Sequence, residues 1–170
     1  MRKGARVWIA AGISLAAAAA IAGWALWPGS PAATPATARQ YLDVTACLLT
    51  SPSGVTAGTP AAPVWAAMQD ASVASHVMVS YLPDTGPADV PLMLNTLIER
   101  QCGVIITTGT ASTATRIITT AKANPHQRFL LVVSPGTAAR ALPPNAEIVS
   151  ATDAAARIGQ LIHALAAQPR

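Results

Sequence analysis

The side chains that could do chemistry fall mostly in short clusters of hydroxyl and small residues. Ser51, Ser53 and Gly54 form one, Thr108, Gly109 and Thr110 a second, and Ser134 and Gly136 a third, with Asp84 between the first and second. Hydroxyls, backbone amides and one carboxylate suit the holding of a small polar or anionic group. Turns use the same residue types, so each cluster also has an ordinary conformational reading. Nucleophilic catalysis is poorly supplied. Gly-x-Ser-x-Gly does not occur, no acidic cluster follows a strand, and His76, His126 and His163 lie far apart. Ser134 with a histidine would be a guess. The expectation is a protein that is not an enzyme and carries no cofactor.

Cys47 and Cys102 are the two cysteines. In an exported domain two cysteines read most simply as a disulfide, and two buried thiols are the alternative. Two cysteines with distant histidines lack zinc spacing, so no metal is expected.

The elements that position these residues alternate in type. Strand-like runs cover residues 44–50, 76–82, 103–108, 128–133 and 146–149. Helical stretches cover residues 64–74, 89 to about 100, 110–123 and 153 to the end. Val90, Met93, Leu94, Leu97 and Ile98 make one apolar helical stripe, and Ile158, Leu161, Ile162 and Leu165 another. Asp89, and Thr152 or Asp153, stand where helix N-caps belong. Trp65 reads as core packing between helix and sheet. This alternation predicts a three-layer α/β domain, a flavodoxin-like or Rossmann-like parallel sheet in the order 2-1-3-4-5. In such sheets ligands sit at the carboxyl ends of the strands, where the clusters named above fall.

The chain opens differently. Arg2, Lys3 and Arg6 precede an uncharged run over residues 7–27, bounded by Trp8 and by Trp24 with Trp27. Basic-then-apolar order marks export. The 18 residues between Trp8 and Trp27 give ~27 Å of helix, close to the ~30 Å of a bilayer core. A retained signal anchor and a cleaved signal peptide both fit, with Ala36-Thr37-Ala38 as a cleavage site for the second. Either reading puts the following domain outside the cytoplasm. The expected organisation is a basic stub over residues 1–6, the apolar segment over 7–27, a Pro/Ala-rich linker over 28–40 and the α/β domain over 41–170. The partners expected are the membrane through that segment, a small polar ligand, and a protein partner or transporter. Val44-Thr45-Ala46-Cys47 has lipobox residue types but stands some twenty residues past the apolar run.

The pI of about 9.7 does not imply nucleic-acid binding. Arg2, Lys3, Arg6 and Arg39 are unopposed, whereas the later basic residues are matched by the seven acids. A phosphate-tracking surface needs a clustered excess of Lys and Arg, so no nucleic-acid partner is expected.

Several pieces together resemble one family. These are the strand and Gly-containing loop after Ala46, then VWAAM from Val64, CGVIITTG from Cys102, and AKANPHQRF from Ala121. They are similar to the N-terminal lobe of the basic membrane proteins, substrate-binding proteins of ABC transporters with a type 1 periplasmic-binding fold, over about residues 43–150. The resemblance implies non-catalytic binding of a small polar solute, several members taking nucleosides. Thr59-Pro60-Ala61 stands where the family carries Ser-Phe-Asn, so the base-stacking aromatic and the hydrogen-bonding Asn are replaced. One lobe also offers half of the family's clamp. An envelope interaction or structural domain without a small ligand is therefore the second expectation. The run from Thr107 to Thr113 resembles the phosphate loop of flavodoxins, but it follows the third strand and has no aromatic nearby. A response-regulator receiver would need an Asp where Thr108 stands.

Overall fold

The computed structural model describes residues 40–134 and 141–168. The elements are β1 (Leu42–Thr50), α1 (Ala61–Ser75), β2 (Val77–Pro83), α2 (Val90–Glu99), β3 (Val104–Thr108), α3 (Ala111–Ala123), β4 (Arg128–Val133), β5 (Ala146–Ser150) and α4 (Ala154–Ala166). The five strands form one parallel sheet in the order β2-β1-β3-β4-β5, as the sequence predicts.

The central strands are apolar on both faces because helices cover both. Ala46, Leu48, Val104, Ile106, Leu130 and Val132 point to the face packed with residues of α1 and α4. Cys47, Leu49, Ile105, Phe129, Leu131 and Val133 point to the face covered by α2 and α3. In the predicted stripes Val90, Leu94 and Leu97 are buried, as are Ile158, Ile162 and Leu165. Met93, Ile98 and Leu161 sit half-buried at the margins.

Several boundaries differ from expectation. α1 begins at Ala61 rather than Val64, because Pro60 takes the N-cap and Pro63 still falls in the first turn, where its missing N–H would be unpaired anyway. β2 starts at Val77, since His76 ends α1 in the left-handed region with φ 60°. Asp89 and Asp153 do occupy N-cap positions, but neither side chain makes a capping bond. Thr85 Oγ1 donates to Asp89 Oδ2 at 2.6 Å and Ser150 Oγ donates to Asp153 Oδ2 at 2.6 Å, so both carboxylates serve the preceding loop instead. Trp65 is half-buried and meets Tyr81 edge to face, with ring centroids 5.2 Å apart.

Cys47 and Cys102 form a disulfide, with Cα atoms 5.8 Å apart. In register Cys47 lies beside Ile105, three residues beyond Cys102. The chain closes that gap on leaving α2. Gln101 takes φ 58°, the Cys102 amide donates to the Leu97 carbonyl at 3.2 Å, and Gly103 donates to the Thr45 carbonyl at 2.8 Å. This turn brings Cys102 against β1. Cys47 is thus a buried, cross-linked strand residue, which removes the lipobox reading.

No helix among the described residues is long and apolar enough to cross a membrane. The expected stub, the apolar run over residues 7–27 and nearly all of the linker lie outside the described residues.

Candidate functional site

The predicted site residues reach the carboxyl edge of the sheet, as the topology requires. Ser51, Ser53 and Gly54 follow β1, and Asp84 follows β2. Thr108 closes β3, with Gly109 and Thr110 after it, and Ser134 follows β4. Gly136 lies outside the described residues.

Most of these groups serve their own loops. Thr50 Oγ1 donates to the Ser51 carbonyl at 3.0 Å, and the Gly54 amide donates to the same carbonyl at 2.9 Å. Gly54 has φ 64°, which explains a glycine there without a ligand. Thr56 Oγ1 donates to the Ser53 carbonyl at 3.1 Å. A Cβ on Gly109 would stand 2.7 Å from the Thr113 side chain, so that glycine lets α3 approach the strand. Thr110 and Ser112 share a hydroxyl–hydroxyl bond of 2.8 Å.

Two polar atoms stand apart. Asp84 Oδ1 and Thr107 Oγ1 are buried with no hydrogen-bond partner among the described residues. Burying such a group unpaired costs about 1–3 kcal/mol, so each calls for an explanation. Both point to the α2/α3 side. Thr107 lies in register between Leu49 and Leu131 of that face, at 1% exposure. Asp84 continues the β2 ladder two residues after Leu82, and its amide donates to the Thr50 carbonyl at 2.8 Å. Strand spacing separates their backbones by about 12 Å across β1. Burial, and next the negative charge of Asp89, holds the Asp84 carboxyl above the usual carboxylate range.

Thr107 is the residue that sequence reasoning passed over. It stands beside Thr108 in a Thr-Thr pair, and only the pleat says which of the two turns inward. Asn145, after Pro143 and Pro144, has a turn residue's composition and a wider role. The two N–H groups of its Nδ2 are shared among the carbonyls of Ala121, Asn124 and Gln127, at 3.0, 2.9 and 2.8 Å. It thereby pins the ANPHQ segment between α3 and β4, and gives that stretch a structural role.

A cavity of about 530 Å³ lies away from the carboxyl edge. It opens at the amino edge beside α4, and its walls include His126, Arg128, Asn145 and Leu161. Across it Arg157 meets Glu147 through two bonds of 2.7 Å, and this pairing raises the Arg157 pKa. Both partners are more than a third exposed, so the pair contributes little. Smaller cavities of about 310 and 300 Å³ lie beside the disulfide and below α3. None of the three is lined by a predicted ligand-binding residue.

No family model and no curated protein matches the chain. Among solved structures, a fragment described as a "putative lipoprotein" from Peptoclostridium difficile 630 superposes with a TM-score of 0.59. The identity is 17%, over 72% of this chain and 96% of that one. The lysine decarboxylase LdcF of Francisella novicida gives 0.49 at 11% identity, over 75% of this chain and 18% of its own length, and carries no argument. The first likeness extends to the fold and no further.

Proposed function

We propose that this chain is an exported domain held at the cell membrane, which binds a small polar solute without catalysis. The binding place is the carboxyl edge of the sheet on the α2/α3 side. The observation that carries this reading is the pair of buried polar atoms without partners, Asp84 Oδ1 and Thr107 Oγ1. A solute with a donor for the carboxylate and a polar group for the hydroxyl would supply what both lack. Export is supported by the basic-then-apolar N-terminal order and by a disulfide, which persists in oxidising compartments. The lipoprotein description of the Peptoclostridium difficile fragment fits the same surroundings. Kinship with one lobe of the basic membrane proteins is part of the proposal, with a nucleoside-like solute as the first candidate and an ABC transporter as the implied partner.

A thermal-shift screen of the full-length chain against nucleosides, amino acids, sugars and phosphates tests it. A solute at a hundred times its Kd adds about 2.7 kcal/mol, a shift of several degrees at this size. The expected result is a saturable shift with one class, lost in Asp84→Asn and Thr107→Val. A folded protein that responds to none of them overturns the reading. A second reading, an envelope interaction domain without a small ligand, is favoured by one observation: no cavity of the three is lined by the predicted ligand-binding residues.

A further inference from the structure

The two edges of the sheet are finished differently. β5 has five residues, carries Glu147 in its ion pair with Arg157, and follows Pro143 and Pro144. Shortness, charge and proline are the usual means of keeping an edge strand from pairing with another chain. β2 has seven residues, Val-Met-Val-Ser-Tyr-Leu-Pro, with no charge and a proline only at its end. Met78 and Tyr81 on it are 38% and 45% exposed.

The backbone hydrogen bonds sharpen the contrast. The Asp84 amide donates to the Thr50 carbonyl, and the Leu42 amide donates to the His76 carbonyl at 2.7 Å. Even-numbered residues of β2 therefore turn their backbone groups to β1, and odd-numbered ones turn theirs outward. Val77 is satisfied locally. Its carbonyl accepts from Ser72 Oγ at 2.7 Å and its amide donates to Ser75 Oγ at 3.4 Å. Pro83 has no amide. Val79 and Tyr81 remain, with two amides and two carbonyls that have no partner among the described residues. They flank Ser80 symmetrically.

We propose that β2 pairs antiparallel with β2 of a second copy of this chain, about a two-fold axis at Ser80. In that register Val79 of each copy faces Tyr81 of the other as a hydrogen-bonded pair. The four bonds use all four free groups of each copy. Sliding by two residues is worse in either direction. One slide sets Tyr81 against Val77, whose groups are already engaged. The other sets Val79 against Pro83, which lacks a donor. Side chains agree with the central register. Val79 and Tyr81 form aromatic–β-branched cross-strand pairs on the face where Trp65 already packs on Tyr81. Met78 meets Leu82 on the other face, and β2 itself carries no charge to oppose its copy. The product is one continuous ten-stranded sheet with isologous contacts.

The test uses two differently tagged full-length chains, Val79→Cys and Tyr81→Cys, produced together in mild detergent. Opposed residues of a hydrogen-bonded pair have Cα atoms about 5.5 Å apart, within disulfide range. The mixed cross-link between the two variants is expected to dominate over either self-cross-link. Ser80→Lys sets two like charges opposite one another, and light scattering should show the dimer lost while the circular dichroism stays that of the parent. A parent chain of monomeric mass, or self-cross-links that dominate, overturns the proposal. If Ser80→Lys fails to fold, the cysteine pair decides alone.

Discussion

At its amino end the sheet is tied to its surroundings, whereas at its carboxyl end the loops are tied mainly to themselves. The amino half holds the disulfide, the triple carbonyl grip of Asn145 and the close approach of Gly103 to Leu165, where an added Cβ would stand 2.5 Å from Cδ1. Each joins elements distant in sequence. At the carboxyl edge the side-chain bonds donated by Thr50, Thr56, Thr59, Thr85 and Ser150 reach five residues at most. Two buried polar atoms there remain unpaired. The amino end is held by cross-ties between distant elements, and the carboxyl edge carries the energetic cost of two unpaired polar atoms.

The largest effect should come from cutting the amino-end ties. The disulfide closes a loop of 55 residues, so Cys47→Ala with Cys102→Ala should lower unfolding stability by about 4 kcal/mol in urea titration. A loss below 1 kcal/mol would mean that the loop is constrained by other contacts. Next, Asn145→Ala removes the amide that three carbonyls share and strands partly buried carbonyls, for a loss of about 2 kcal/mol. Denaturation that leaves its midpoint unmoved would show those carbonyls to be served by water.

At the carboxyl edge the sign reverses. Thr107→Val keeps the shape and removes an unpaired hydroxyl, so without ligand the variant should gain roughly 1 kcal/mol. A destabilised variant would reveal an ordered partner for Thr107 Oγ1 and remove half of the candidate site. The smallest effect is one of pH. The Asp84 carboxyl binds its proton more tightly folded than unfolded, because burial and then Asp89 disfavour its charge. Its contribution is therefore neutral in acid and becomes a penalty as pH rises through the unfolded and then the folded value. Melting followed from about pH 3 to 7 should show Asp84→Asn gaining on the parent as pH rises. Parallel profiles would place the carboxylate in water and not in a site.

The fold was legible because its signals are local. Continuous Val, Ile and Leu runs mark strands buried on two faces, stripes at helical spacing mark the covering helices, and their alternation leaves few arrangements. The site was legible only as a region. Ser, Thr and Gly after a strand have the same composition whether they hold a ligand or close a turn. At Gly54 and Gly109 the structure supplies a purely conformational or steric reason.

What the sequence determined by itself was the order of elements, the sheet topology and the basic, apolar and Pro-rich character of its first forty residues. Each follows from residue type and short-range spacing. What only the tertiary structure decided was which polar atoms end up without partners. Thr107 differs from Thr108 by the pleat. Asp84 differs from Asp89 in that Thr85 donates to Asp89 Oδ2 while Asp84 Oδ1 is buried without a partner. Val79 and Tyr81 differ from Val77 because Ser72 and Ser75 of α1 happen to lie against one and not the others. Hydrogen-bond satisfaction depends on every element packed around an atom, and so it is a property of the assembled fold.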